Sequence, residues 1–120
     1  MSVSSSSIFI RGLGGFSQTD PQKILFHKKP KRSPDIVIKE KTEKNAALIY
    51  RLNGDWNPLY VNTDRAAVGG YTKPILHNMC IYGIVGRIIF DYFCDGDPLR
   101  IKQLKARFIS HVYPGESLLI

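Results

Sequence analysis

The amino-acid sequence predicts an α+β domain in which one long, buried helix is wrapped by an antiparallel sheet. Three observations predict it. Residues 75–93 carry apolar side chains at Ile75, Leu76, Met79, Cys80, Ile81, Ile84, Val85, Ile88, Ile89, Phe90 and Phe93. These cover most of a helical surface, and a helix apolar nearly all round needs neighbours on every side. Leu104, Ala106 and Phe108 alternate with Lys105 and Arg107, as in a half-exposed strand, whereas Leu99 and Ile101 lie in the opposite phase and imply a bulge near Gln103. Pro114-Gly115 then turns the chain into a further apolar strand, Ser117 to Ile120, where the sequence stops.

The elements ahead of that helix are shorter. Ile8, Phe9 and Ile10 read as the end of a strand, followed by a turn through Gly12, Gly14 and Gly15. The glycine pattern is not a phosphate-binding GxGxxG, because no long strand precedes it and no helical pattern follows. From residue 17 to 41 the chain is polar and basic, with prolines at 21, 30 and 34, and without periodicity it reads as a linker. Thr42 is a candidate N-cap for a short helix through Ala46, Ala47, Leu48, Tyr50 and Leu52. That helix ends at Asn53-Gly54, and residues 53–60 are expected to be irregular because Gly54 breaks the helix and Pro58 forces Asn57 to be extended. Thr63 or Asp64 is the expected cap of one more short helix through Ala66, Ala67 and Val68, closed by Gly69-Gly70. The expected organisation is therefore an ending at residues 1–16, a linker at 17–41 and a domain over 42–120.

Composition narrows the possibilities. A chain of 120 residues with 43% apolar content, one Trp, six Tyr and six Phe supplies one core and not two. The longest apolar run, Met79 to Phe93, is broken by Gly83, Gly86, Arg87 and Asp91 and falls short of the ~20 residues of a membrane span. Residues 1–7 lack the basic start of a secretory signal, so the chain is expected to stay inside the cell. If one helix carries Cys80 and Cys94, its rise separates them by roughly 20 Å, too far for a disulfide. Those two cysteines and the scattered His27, His77 and His111 give no zinc spacing, and no metal is expected. The net charge of +7 is concentrated between Lys23 and Lys44, where eight Lys/Arg face Asp35, Glu40 and Glu43. The run His27-Lys28-Lys29-Pro30-Lys31-Arg32 fits a solvated linker better than a nucleic-acid patch, because no aromatics interleave with its charges.

A long buried helix followed by strands that curl around it is the outline of a hot dog fold, which several families share. Local motifs choose among them. Tyr50-Arg51-Leu52-Asn53-Gly54-Asp55-Trp56-Asn57-Pro58-Leu59 resembles the signature of the MaoC-like (R)-specific enoyl-CoA hydratases, the hydratase 2 family. Lys73-Pro74-Ile75-Leu76-His77 resembles the same family's lead-in to its central helix, and Lys105-Ala106-Arg107-Phe108 and Val112-Tyr113-Pro114-Gly115 resemble its following strand and turn. Eukaryotic members fuse two hot dog halves, often within peroxisomal multifunctional β-oxidation enzymes. The resemblance therefore implies that Phe9 to Phe16 end a first half, that the second half begins near Ala46, and that the fold is incomplete at the C-terminus. It implies a peroxisomal location, with the cytoplasm as the alternative because Leu118-Leu119-Ile120 is not an import signal of the Ser-Lys-Leu type. It also implies an acyl-CoA substrate, and a homo-oligomer or a complementing hot dog half as partner, with no membrane and no nucleic acid.

Members of this family add water to a trans-2-enoyl-CoA to give the (R)-3-hydroxyacyl-CoA, with an Asp and a His sharing acid/base work on one water. No cofactor is needed beyond the coenzyme A of the thioester substrate itself. Asp55 matches the Asp, and Asn57 would orient the water through its amide; the plain alternative for Asp55 is an Asx turn. Tyr60 stands where the family has its catalytic His. A phenol with a pKa near ~10 stays protonated at neutral pH and is a poor base, whereas imidazole near ~6.5 exchanges protons readily. Asn78 stands in place of a Gly whose N–H polarises the thioester carbonyl at the helix N-terminus. His77 matches a His of the lead-in motif, with capping or packing as its expected role, and Trp56 is the candidate for contact with the acyl chain. These residues imply a hydratase of weak or absent activity; the alternative is a non-catalytic acyl-CoA-binding or assembly module.

Overall fold

The computed structural model describes residues 30–120 together with Val3, Ser5 and Ser6. The strand end expected at residues 8–10, the glycine turn and most of the basic linker lie outside the described residues. The chain divides into two compact units, Met1–Ser33 and Pro34–Ile120, and every helix and strand among the described residues belongs to the second.

Strand β1, Lys39–Lys41, pairs antiparallel with β2, Ser117–Leu119, in the register Lys39 to Leu119, Glu40 to Leu118 and Lys41 to Ser117. Reciprocal bonds between Ile38 and Ile120, at 2.7 and 2.9 Å, extend the ladder. β2 is the strand expected from Ser117 onward. β1 falls in a segment with no strand signal, because Lys-Glu-Lys has neither β-branched residues nor alternation, and its conformation is imposed by its partner.

Thr42 does not cap a helix. Its N–H donates to the Glu116 carbonyl at 2.9 Å, its hydroxyl donates to the same carbonyl at 2.8 Å, and it accepts from Gly115 N at 2.9 Å. The buried hydroxyl both donates and accepts at the end of the ladder, and is directed there and not to a helix N-terminus. Helix α1, Ala46–Tyr50, begins after Asn45, which makes no side-chain cap, and a 3-10 turn over Arg51–Asn53 closes on Gly54 at φ +102. Only glycine takes that conformation without strain. The segment after it is less irregular than expected, since Pro58–Tyr60 forms a second 3-10 turn. Helix α2, Thr63–Val68, is capped by Asn62, whose side chain accepts from Arg65 N at 2.9 Å. Neither Thr63 nor Asp64 is the cap: both lie inside the first turn.

Helix α3, Asn78–Phe93, is the long element. It begins three residues later than the apolar pattern, because Ile75 and Leu76 lie ahead of the helix, where the Leu76 N–H donates to the Val112 carbonyl at 2.7 Å. Leu76, Ala47 and Ile81 form the core, with Tyr60, Cys80, Val85, Val112 and Leu118 packed against it. The expectation of a fully wrapped helix does not hold among the described residues. Only Ile81 and Ile88 of α3 are buried, while Met79, Tyr92 and Phe93 are exposed. The expected strand over 104–108 has no ladder partner there either; its Leu104 carbonyl accepts the Tyr82 hydroxyl at 3.0 Å. Apolar alternation records which side a strand would bury, and a strand exists only where another backbone pairs with it. Cys80 and Cys94 are free thiols. No helix among the described residues is long and apolar enough to cross a membrane.

Candidate functional site

The site forms where the loop after α1 meets the start of α3. Gly54 turns the chain out of the 3-10 helix, and two successive side-chain-to-backbone bonds then shape the loop. Asn57 N donates to Asp55 Oδ1 at 3.3 Å, and Leu59 N donates to Asn57 Oδ1 at 3.0 Å. Asp55 therefore does make an Asx turn, with one of its oxygens. Its carboxylate remains exposed, so the turn and a role towards solvent coexist. Asn57 spends its amide oxygen on Leu59 N, which leaves the amide NH2 to face another partner. Trp56 is 62% exposed, with the Arg51 guanidinium 4.8 Å from its ring centroid. Arg51 covers one side of it.

The loop delivers Tyr60 onto His77. Their ring centroids are 3.7 Å apart and their planes 27° from parallel, a stack. Tyr50, from the last position of α1, meets the same imidazole at 4.7 Å and 48°. His77 is 1% exposed, and neither ring nitrogen has a hydrogen-bond partner. It caps nothing with its side chain, although its carbonyl accepts from Cys80 N and Ile81 N. Of the two expected roles, packing is the one observed.

Electrostatics set the protonation states. Burial pushes the His77 pKa below its ordinary value, reinforced by the charge of Arg51; a backbone contact with Asp55, outside hydrogen-bond geometry, and the Asp55 carboxylate oppose it. The ring is neutral at pH 7. Burial likewise raises the Tyr60 phenol above its ordinary value, and the Asp55 charge adds to this, followed by Tyr71 and Tyr50. Tyr50 is raised for the same first reason, with Cys80 and Asp55 contributing. Asp55 thus stands close enough to act on three neighbours, and Tyr60 stays a phenol.

Asn78 is the first residue of α3 and is exposed. With Cys80 N the first to bond back to His77 O, the N–H groups at the helix start point outward without an intrahelical acceptor. The structure therefore gathers Asp55, Tyr60 and His77, sets Asn78 next in sequence to His77, and leaves Trp56 at the rim. The residue that sequence reasoning missed is Tyr50. It opens the ten-residue motif, and only the fold reveals that it reaches His77. Among the described residues no group of three or more His, Cys, Asp or Glu is arranged to hold a metal ion.

The chain has relatives among known proteins. The MaoC like domain matches residues 25–120. The chain is 45% identical over 114 residues to the probable enoyl-CoA hydratase 2 of Dictyostelium discoideum, covering 93% of this chain and 39% of that protein. It is 43% identical over 114 residues to the peroxisomal multifunctional enzyme type 2 of Mus musculus, covering 93% of this chain and 16% of that one. It thus spans well under half the length of these relatives. The crystal structure of a MaoC-like dehydratase from Phytophthora capsici superposes with a TM-score of 0.80 at 38% identity, over 91% of this chain and 37% of that one. With the family matched over most of the sequence and its architecture shared, the chain belongs to the MaoC-like dehydratases.

Proposed function

We propose that this chain carries the water-handling part of an (R)-specific 2-enoyl-CoA hydratase site within a hot dog domain, and that Tyr60 holds its turnover low. The single observation that carries this reading is the Tyr60 ring stacked at 3.7 Å on His77 and within the field of Asp55, its phenol raised by burial. Hydration adds a water oxygen to C3 of the enoyl thioester and a proton to C2. Asp55 can accept a hydrogen bond from that water, and Asn57 can donate one to it from its free NH2. A proton must then leave the water and reach C2, and a second acid/base group near neutral pKa makes that transfer fast. Tyr60 can donate a hydrogen bond but cannot take up a proton. The outward N–H groups at the start of α3 suit the thioester oxygen, with the Asn78 side chain restricting the approach. No cofactor enters this chemistry, and the substrate would be an acyl-CoA. The names of relatives support peroxisomal β-oxidation as the setting.

The test is hydration of a trans-2-enoyl-CoA by the chain and by Tyr60→His, both first verified as folded by chromatography and circular dichroism. The expected gain in the variant is ~10²- to 10⁴-fold, the typical worth of one acid/base group. Equal rates in the two chains would sink this account of Tyr60.

A second reading is a non-catalytic acyl-CoA-binding or assembly module. It is favoured by the exposure of Met79, Tyr92 and Phe93 on α3 and by a sheet of two strands, each with a free edge among the described residues. Such a module would bind enoyl-CoA without turnover even as Tyr60→His, and would associate with itself or with a complementing half at micromolar concentration.

A further inference from the structure

Among the described residues, the buried side-chain nitrogens that lack a hydrogen-bond partner are Arg51 Nε and the two ring nitrogens of His77. A buried imidazole ordinarily has its donor and its acceptor satisfied, and those bonds fix the ring's orientation. His77 has neither. Its position comes instead from the main chain on both sides: Leu76 N donates to Val112 O at 2.7 Å, and the His77 carbonyl receives Cys80 N at 3.0 Å and Ile81 N at 3.2 Å. The imidazole is thus seated at the junction of α3 with the 112 segment, between the Tyr60 and Tyr50 rings and in contact with the Asp55 backbone outside hydrogen-bond geometry.

Tyr60 presents the complementary case. The bonds that shape its loop end on the Asn57 and Leu59 main chain, and none of them reaches the phenol. The Tyr60 ring lies stacked on the imidazole, at the edge of the Ala47, Leu76 and Ile81 core.

We propose that His77 is a positioning residue: its main-chain-seated ring holds the side chain of residue 60 beside Asp55 by stacking and not by hydrogen bonding. The proposal rests on the hydratase reading only in taking residue 60 to be at the reacting water. It assigns the function to a flat ring at 77 and none to the ring nitrogens. Phe in this place should therefore do the same work, and an aliphatic side chain of similar bulk should not.

The test uses the full chain labelled with ¹³C at the tyrosine Cζ, with the Tyr60 signal assigned from Tyr60→Phe. The pKa of the Tyr60 phenol is titrated with and without Asp55→Asn, in three backgrounds: parent, His77→Phe and His77→Leu. In parent and His77→Phe, Asp55→Asn should lower the phenol pKa by about 0.5 pH unit, the size of one charge at short range through a partly wet site. In folded His77→Leu that response should fall below about 0.1 pH unit. Should His77→Leu fail to fold, the unbranched His77→Met takes its place. A full Asp55 response in the aliphatic variant overturns the proposal, and so does its loss in folded His77→Phe, which would mean that the nitrogens matter. An activity arm runs in the Tyr60→His background. His77→Leu should lower kcat at least ~10-fold with KM within about twofold, and His77→Phe should recover most of it, as expected when orientation alone is lost. Inactivity of Tyr60→His itself counts against the hydratase reading alone, because the phenol titration decides the position of ring 60 without any turnover.

Discussion

The two ends of α3 are built on opposite terms. At its N-terminal end Ile75, Leu76 and His77 are 6, 0 and 1% exposed, tied to Val112 and covered by Tyr60 and Tyr50. At its C-terminal end Tyr92 and Phe93 are 64 and 49% exposed, and residues 101–109 pair with no described strand. Both ends carry large apolar or aromatic side chains. What differs is the cover: the N-terminal end has the Tyr60 and Tyr50 rings and the Val112 main chain against it, whereas Tyr92 and Phe93 stand exposed. The motif-bearing end is therefore complete in its local geometry, and the remaining apolar surface is not.

Several measurements can break or sharpen this contrast. In the Tyr60→His background, Asp55→Asn should cost ~10²- to 10⁴-fold in kcat with enoyl-CoA; a small loss would separate the packed end from the chemistry. Leu76→Ala should lower stability in urea unfolding by ~2–5 kcal/mol, and Phe93→Ala by under ~1 kcal/mol given its exposure. Equal costs would mean that the two ends are packed alike. Thr42→Val removes a hydroxyl that serves both Glu116 O and Gly115 N, leaving Gly115 N without its acceptor, and should cost ~1–3 kcal/mol. Acid should also act on the packed end first. His77 is held below its ordinary value of 6.5, so below that pH the unfolded chain binds a proton that the folded chain refuses. Stability then falls as the pH drops from 6.5 towards the depressed folded value, and above 6.5 His77 contributes no slope. His77→Phe should flatten that limb of a Tm-against-pH profile. The smallest effect is Arg87→Ala, which removes exposed ion pairs to Glu40 and Asp91 and should cost no more than about 0.5 kcal/mol at moderate salt.

Much of this was legible in the sequence, for reasons that differ by element. The three helices announce themselves through apolar spacing and glycine stops, and the Pro114-Gly115 turn through its residue types. The cap of α2 was not decidable, because Asn62, Thr63 and Asp64 are three cap-competent residues in a row and only the helix's true start selects one. β1 was invisible because Lys39-Glu40-Lys41 is a strand solely by virtue of β2. The start of α3 was misplaced since Ile75 and Leu76 are apolar for the sake of the core, while Leu76 bonds to Val112 and not into the helix. At the site, Asp55 and Tyr60 stood out by their place in a motif. The Tyr60–His77 stack joins residues from two separate segments, and no periodicity reports on such a pair.

The loop from Gly54 to Tyr60 is shaped by residues other than Tyr60 itself. Gly54, Asp55, Asn57 and Pro58 dictate its path through a left-handed turn and two side-chain-to-backbone bonds, and none of these depends on what residue 60 is. Tyrosine and histidine codons differ only at their first base. A gene encoding this chain is therefore one transition away from the imidazole form, with the scaffold already in place to receive it. On the proposed reading, loss and recovery of proton transfer at residue 60 are mutational neighbours.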